Sequence, residues 1–408
     1  MKMNTLPSPR YFDRLTPPHV TTLILITAAS AIPMNIFLAS LPEMALYYQQ
    51  PYSMMQLTLT GYMALMGLLQ LIIGPLSDRI GRRPVLLWAL VLFVIASVGV
   101  SLATNFKLFM VFRCLQAFIV SGFVISRAAI RDIVSREKAT SMLGYVAMGM
   151  AMAPMIAPVL GGILTDAFGW QSNFQTLAIV GFFTLVIVYF DQGETNIRRS
   201  KSFTDQFQAY PELMKSSRFW GYCFTLVFAV GTFFTYLGGA PYVGDQFFSL
   251  SASQMGIYLS ITPLGYMIGS GISGCFASHI SLYKMIITGC LISLIGMSVT
   301  LFIPWIGITH PIGFYGFTFS IGIGNGLIIP SATTGLLDVK PELSGSASGL
   351  GGSFMTLGGA LLSTLSGFLL TKSSGIYPLI YCIVSVSFMS FVAALCTVRI
   401  ERKMRSQA

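Results

Sequence analysis

Charge is what this chain is short of. Only 9% of its 408 residues are Asp, Glu, Lys or Arg. A soluble domain carries roughly a quarter, so this chain cannot cover itself with a solvated surface. Acids are scarcest, 14 against 24 basic residues, and the three histidines, His19, His279 and His310, lie far apart in sequence. No Ser/His/Asp grouping, His-Glu-x-x-His run or phosphate-cradling loop can be assembled, which counts against an enzyme. The six cysteines (Cys114, Cys223, Cys275, Cys290, Cys382 and Cys396) fall inside apolar stretches without a Cys-x-x-Cys spacing. They read as small helix-packing residues, not as disulfides or metal ligands. No cofactor is called for.

Apolar residues fill the space that charge leaves, at 54% of the chain. A helix needs about 20 mostly apolar residues to cross a bilayer. Twelve such stretches follow one another: 20–42, 54–76, 85–103, 107–130, 139–166, 173–190, 219–241, 253–276, 284–305, 311–336, 345–371 and 377–398. The prediction is an all-α membrane protein of twelve transmembrane helices in two six-helix bundles. The first stretch is too long for a signal-peptide core and lacks a cleavage site, so it is expected to stay as a helix. With both termini inside, 20 of the 24 basic residues face the cytoplasm. Lys107 and Lys372 fall outside, and Arg113 and Arg127 lie in the fourth span. That asymmetry is the positive-inside pattern, and anionic lipid accounts for the net charge of +10 without nucleic acid. Trp88, Trp170, Trp220 and Trp305 fall near span ends, where indole rings prefer to sit.

The long interior loop, 191–218, divides the spans six and six, a transporter arrangement with substrate held between the halves. The expected organisation is a tail 1–19, a bundle 20–190, the linker, a bundle 219–398 and a tail 399–408. Between spans two and three runs GPLSDRIGRRP, 74–84. Here Gly74 and Pro75 are expected to end a helix and Gly81 to permit a tight return before Arg82 and Arg83. Asp78 stands among Arg79, Arg82 and Arg83, and Asp132, at the inner end of the fourth span, is the candidate partner for Arg82 or Arg79.

This loop resembles the signature Gly-x-x-x-Asp-Arg-x-Gly-Arg-Arg of the major facilitator superfamily, at every defining position. The resemblance implies a cytoplasmic latch between the halves. RCLQAFIVSGFVISRAAIRD (113–132) is similar to the family's Arg-x-x-Gln-Gly motif, with Ala117 in place of Gly. APMIAPVLGG (153–162) resembles the antiporter motif. QLTLTGYMALMGLLQ (56–70) and GSASGLGGSFMTLGGALLSTLSG (345–367) point the same way, to the bicyclomycin/chloramphenicol-resistance (Bcr/CflA-type) drug/proton antiporters. The resemblance implies a monomeric exporter in the bacterial inner membrane, both termini cytoplasmic, whose partners are the bilayer, a small-molecule substrate and protons. Rival readings are a metabolite or siderophore transporter on the same fold, a facilitator among them, and a non-transporting membrane receptor or enzyme.

Individual residues carry more specific expectations. Arg113, about 9 Å along the axis from Lys107, puts a permanent charge well inside the membrane, which is costly unless paired or hydrated. The choice is between a structural hub to carbonyls and Gln116, and direct ligand contact; the resemblance implies a coupling role. Arg127, about 21 Å deeper, is assigned to the inner gate. Pro154 and Pro158 should bend the fifth span, while Gly161 and Gly162 let another backbone approach, giving a hinge or seal. Gly345 and Gly349 suggest a similar face in the eleventh. A stripe of Gln56, Thr60, Met63, Gly67 and Gln70 should face the bundle interior. Gln56, Tyr62, Tyr145, Met148, Phe234, Tyr236 and Asn325 are expected to line a cavity.

Asn35 stands where the resembling antiporters carry an Asp in Asp-x-x-x-Pro-x-x-Pro, the carboxylate that exchanges a proton for substrate. An amide cannot release one near neutral pH. No acid is placed at mid-membrane, leaving Glu43 and Asp245, near outer ends, as proton alternatives. Asn35 and Arg113 are expected to face one cavity that favours neutral, zwitterionic or anionic substrates over cations.

Overall fold

A backbone in hydrocarbon must satisfy its own polar groups, and helices do so segment by segment. The computed structural model describes residues 10–133, 136–196, 210–276, 279–302, 310–340, 343–370 and 375–405, with no strand among them. The first half of the chain holds α1 (Val20–Ala31), α2 (Leu41–Tyr47), α3 (Tyr52–Ile80), α4 (Arg82–Leu102), α5 (Phe106–Gln116), α6 (Ser121–Ile133), α7 (Arg136–Phe168) and α8 (Gln171–Asp191). After the linker come α9 (Tyr210–Met214), α10 (Ser217–Phe248), α11 (Ala252–Leu259), α12 (Ile261–Phe276), α13 (Leu282–Thr300), α14 (Ile312–Tyr315), α15 (Phe319–Leu337), α16 (Ser344–Leu369) and α17 (Tyr377–Arg405). Ten helical segments among the described residues are long and apolar enough to cross a membrane. The expected span 139–166 lies within α7, which stays helical through Pro154 and Pro158. The expected span 253–276 is interrupted at Ser260, between α11 and α12.

The first apolar stretch is not one helix. Beyond α1 it loosens into 3-10 turns over Ile32–Met34 and Leu38–Ser40 before α2. Pro33 cannot donate a ladder bond, and Pro42 restarts the helix in its first turn. Asn35 marks the change of pitch. Its backbone N–H turns to Ile32 O at 3.0 Å, and its side-chain Nδ2 donates to the abandoned Ala31 O, also at 3.0 Å. The amide therefore repairs its own helix.

Within the first half, α1 packs on α7 and α4 on α8; within the second, α10 packs on α16 and α17, and α12 and α13 on α15. Two seams join the halves, α3 against α16 and α7 against α11. The stripe expected to face the interior supplies the first seam. Gln56 Nε2 donates to Ser363 O, and Gly67 leaves room for Leu357.

Gly74 and Pro75 do not end a helix: α3 continues through Pro75 to Ile80. One lost donor near a helix end costs too little to stop it, and the stop is Gly81, at φ +121°. An L side chain is strained at that φ, and a Cβ there would also run into the Glu194 carboxylate. Gly81→Ala should therefore destabilise the purified protein by about 1–3 kcal/mol, seen as a lower thermal unfolding midpoint. An unchanged midpoint would contradict this account of the turn.

Candidate functional site

At the linker end, Glu194 receives the turn that Gly81 makes. Its carboxylate accepts from the backbone N–H of Arg82 at 2.9 Å and of Arg83 at 3.2 Å, the orphan donors of the α4 N-terminus. The Arg82 side chain lies 2.5 Å from Asp78, 3.2 Å from Asp132 and 2.5 Å from Ser77 Oγ. Thr195 Oγ1 donates to Asp132 at 3.1 Å, and Asn196 Nδ2 to Asp78 O at 2.7 Å. Partial burial raises the Asp132 carboxyl above its ordinary value, against the pull of Arg82. Arg83 donates to Tyr189 O at 2.8 Å and lies over the Tyr189 ring. All these partners belong to the first half or to the linker's opening residues. The loop is thus tied to its own half in this structure, and a latch to the other half is not formed by these contacts. Glu194 and Asp191, whose carboxylate accepts from the backbone of Phe12 and His19, were not singled out in the sequence.

In the middle of the first half sits Arg113, wholly buried. Nη2 donates to Pro33 O at 2.8 Å, a carbonyl exposed by the loosened first span. Nε donates to Thr58 O at 3.2 Å and Nη1 to Gln116 Oε1 at 2.7 Å. Gln116 passes the chain on to Ser97 Oγ at 2.8 Å. The guanidinium lies 4.0 Å from the Tyr62 ring centroid and 4.3 Å from that of Phe37. Carbonyls and aromatic faces, not a carboxylate, hold this charge. The expectation that Asn35 and Arg113 share an open cavity is corrected: both are enclosed in the first half's core, with Tyr62 and Gln116 beside Arg113.

The far end, where Glu43, Asp166 and Asp245 lie, is sealed across the halves. Gly162 faces Ala252 so closely that a Cβ would overlap its carbonyl, and Gly256 faces Pro158 in the same way. Gly161 makes its close approach to Ile36, inside the first half. Asp166 completes the seam. Ser251 and Gln254 form a capping box on α11, and the Asp166 carboxylate accepts from the next two backbone donors, Ala252 N at 3.1 Å and Ser253 N at 2.9 Å. A carboxylate of one half thus caps a helix of the other. Ser260 Oγ donates to Met155 O at 2.7 Å, and Tyr52 OH to Gly238 O at 2.9 Å. Gln56 belongs to this seal; Tyr236 is buried in the second half against Phe314 and Tyr315. Gly349 is not part of a close-approach face, since nothing lies within 4 Å of the position its Cβ would take. On α16 the tight contacts fall further along, at Gly358 and Gly359 against Val227 and Phe234, because α16 leans on α10 there. Gly345 stands in the first turn of the same helix.

Below the α7/α11 seam, towards the linker end, the halves enclose a cavity of about 320 Å³. Arg127, Met150 and Pro154 line it from α6 and α7; Phe233, Tyr266 and Asn325 line it from α10, α12 and α15. Arg127, expected at the inner gate, is exposed to this space, with Met150 Sδ 3.9 Å from its Nη2. Asn325 is 4% exposed and its Oδ1 has no hydrogen-bond partner. Tyr145 and Met148 lie on α7, but their side chains fall outside the described residues, as does linker segment 197–209. Glu43 and Asp245 do not line the cavity: Glu43 is exposed in the first turn of α2, and Asp245 accepts from Gln246 at the end of α10.

Two stretches of the chain, 23–361 and 240–408, match the family model described as Major Facilitator Superfamily. The chain belongs to that superfamily. It is 31% identical over 344 residues to the uncharacterized MFS-type transporter YdgK of Bacillus subtilis (strain 168), covering 82% of this chain and 85% of that one. With the chloramphenicol resistance protein of Pseudomonas aeruginosa it shares 28% identity over 367 residues, 87% of this chain and 84% of its relative. A solved structure of the peptide transporter POT in complex with sulfate superposes with a TM-score of 0.74 at 13% identity, covering 98% and 97% of the two chains. This superfamily member is a multi-pass membrane transporter and not an enzyme, so the reading as a receptor or enzyme falls away. Its likeness to the bicyclomycin/chloramphenicol-resistance type stands.

Proposed function

We propose that the protein is a secondary active transporter of the bacterial inner membrane, exporting drugs or other amphipathic small molecules by alternating access. Twelve spans form two six-helix bundles, 20–190 and 219–398, joined by a cytoplasmic linker, with both termini cytoplasmic. The observation that carries this reading is the pairing of a far-end seal with a cavity directly beneath it, between the same two halves. Such a cavity falls in the size range of small-molecule sites, about 300–1,000 Å³. Rocking the halves about it would break the Gly162/Ala252 and Asp166/α11 contacts and bring the loop at Asp78–Arg83 towards the second half. A relative's name, chloramphenicol resistance protein, supports a drug as cargo.

Protons are the proposed coupling ion. Asn35 cannot supply the carboxylate, and no acid lies among the described residues lining the cavity, an observation that favours a facilitator as the second reading. Flux of radiolabelled chloramphenicol through proteoliposomes, with and without an imposed pH gradient, separates them. Acceleration by the gradient that a protonophore removes is the expected result. Equal flux in both conditions establishes the facilitator, and no flux above protein-free vesicles overturns drug export.

A further inference from the structure

We infer that Asn325 is the hydrogen-bonding point of the central cavity, accepting from a neutral amide N–H or a hydroxyl on an otherwise apolar substrate. The inference rests on the transporter reading and deepens it by naming the substrate class and the residue that selects it. Much of the lining is apolar: Met150, Pro154, Val230, Phe233, Ile329 and Met355. Such walls favour apolar bulk and leave orientation to the few polar groups among them. No acid stands among the described lining residues, and Arg127 is already engaged within the protein. A charged ligand therefore finds no free counter-ion here and loses its hydration without compensation. A neutral one loses less.

Asn325 supplies the direction that apolar walls lack. Its Oδ1 is buried and has no hydrogen-bond partner. An acceptor in that position raises the free energy of the empty protein, and a ligand that brings a donor recovers the loss. The residue also stands on a fixed frame. A Cβ at Gly322 or Gly326 would run into the backbone of α12, and one at Gly324 would run into Gly289 O and the Ser293 side chain of α13. These contacts leave α15 no room to turn. The last torsion of an asparagine is soft, so the amide can still swing its oxygen towards the cavity. Asn35, by contrast, donates to Ala31 O within its own helix. A substrate analogue whose N–H is replaced by N–CH3 leaves the Asn325 acceptor unsatisfied, and the site discriminates between the two.

Two amides that differ by one methyl group test this: N-methyl-1-naphthylacetamide, with an N–H, and N,N-dimethyl-1-naphthylacetamide, with none. Binding of each tritiated probe to the purified protein is measured by scintillation proximity, and flux in proteoliposomes. The N-methyl probe should bind about fivefold tighter or more. Asn325→Leu should bring the ratio of the two affinities to about one, and so should Asn325→Ala, which also removes the amide. The ratio is taken within each variant, so loss of folded protein and uptake of probe by detergent do not imitate the effect. A purely structural role for Asn325 would weaken both probes alike. The charged analogues 1-naphthylacetate and 1-naphthylmethyl-trimethylammonium should each bind more weakly than the N-methyl amide. Equal binding of the two amides, a ratio unchanged in both variants, tighter binding of either charged probe, or no amide binding overturns the inference. Selective amide binding with no flux sustains it and overturns the transport reading beneath it. Flux of both amides at equal affinity does the reverse.

Discussion

Arg113→Ala is expected to destabilise the purified protein by about 3–5 kcal/mol, the range found when a large buried side chain is truncated to Ala. The side chain donates to Pro33 O, Thr58 O and Gln116 Oε1 and carries two aromatic faces. Truncation leaves Pro33 O and Gln116 Oε1 without donors, while Thr58 O keeps its place in the α3 ladder, and it opens a void under Tyr62 and Phe37. The loss should concentrate where the first span is loosened, because Pro33 O has no helical donor to fall back on. Arg113→Lys keeps the charge but cannot span three acceptors from one ammonium, so it should recover only part of the stability. Thermal unfolding in detergent, followed by tryptophan fluorescence, reads both; Trp170 lies in the same buried cluster. A small effect of Arg113→Ala, below about 1 kcal/mol, would mean that these hydrogen bonds do not hold the first half together.

The second large effect is conformational. Gly162→Val and Gly256→Val should each prevent the far end from closing, because the new side chain would occupy the place of a backbone carbonyl in the opposite half. Overpacking of this kind costs about 1–3 kcal/mol, and backbone cannot step aside as a side chain can. At about 3 kcal/mol the closed state falls roughly a hundredfold relative to the open one. Flux should drop accordingly. A single cysteine at Met150, which lines the cavity behind the seam, should react faster with a membrane-impermeant maleimide added from the far side, in a background lacking the six native cysteines. Gly349→Val is the matching control, since its surroundings are open, and it should leave that labelling rate unchanged. Normal flux in Gly162→Val would show that the α7/α11 contact does not gate the pathway.

Local chemistry was legible in the sequence and long-range pairing was not. The turn at Gly81 and the charges of Asp78, Arg82 and Arg83 could be read because the loop folds on itself within a few residues. Its true anchor, Glu194, comes from the start of the linker, more than a hundred positions on, and nothing in its neighbourhood marks it. Asp166 is similar: a carboxylate near a span end looks ordinary until the capping box at Ser251 arrives from the other half to meet it. Arg113 announced itself as a buried charge. Its partner, Pro33 O, stayed hidden because a carbonyl has no sequence signature; only the proline hinted at a loosened backbone. Asn35 invited a ligand role for the same reason, and its amide proved to be spent on Ala31. Arg127 was expected at the inner gate, and distance along a helix could not say that the neighbouring half leaves space beside it.

Spin-label distances across the two ends probe the central claim most directly. One pair would sit at Phe168 and Gln246 on the far end, the other at Ile80 and Phe276 on the linker end. All four positions are exposed. Measured without substrate, with substrate and across pH, the two distances should change in opposite directions, the far-end pair lengthening as the linker-end pair shortens. Distances that never change, or that lengthen and shorten together, would contradict alternating access about the central cavity.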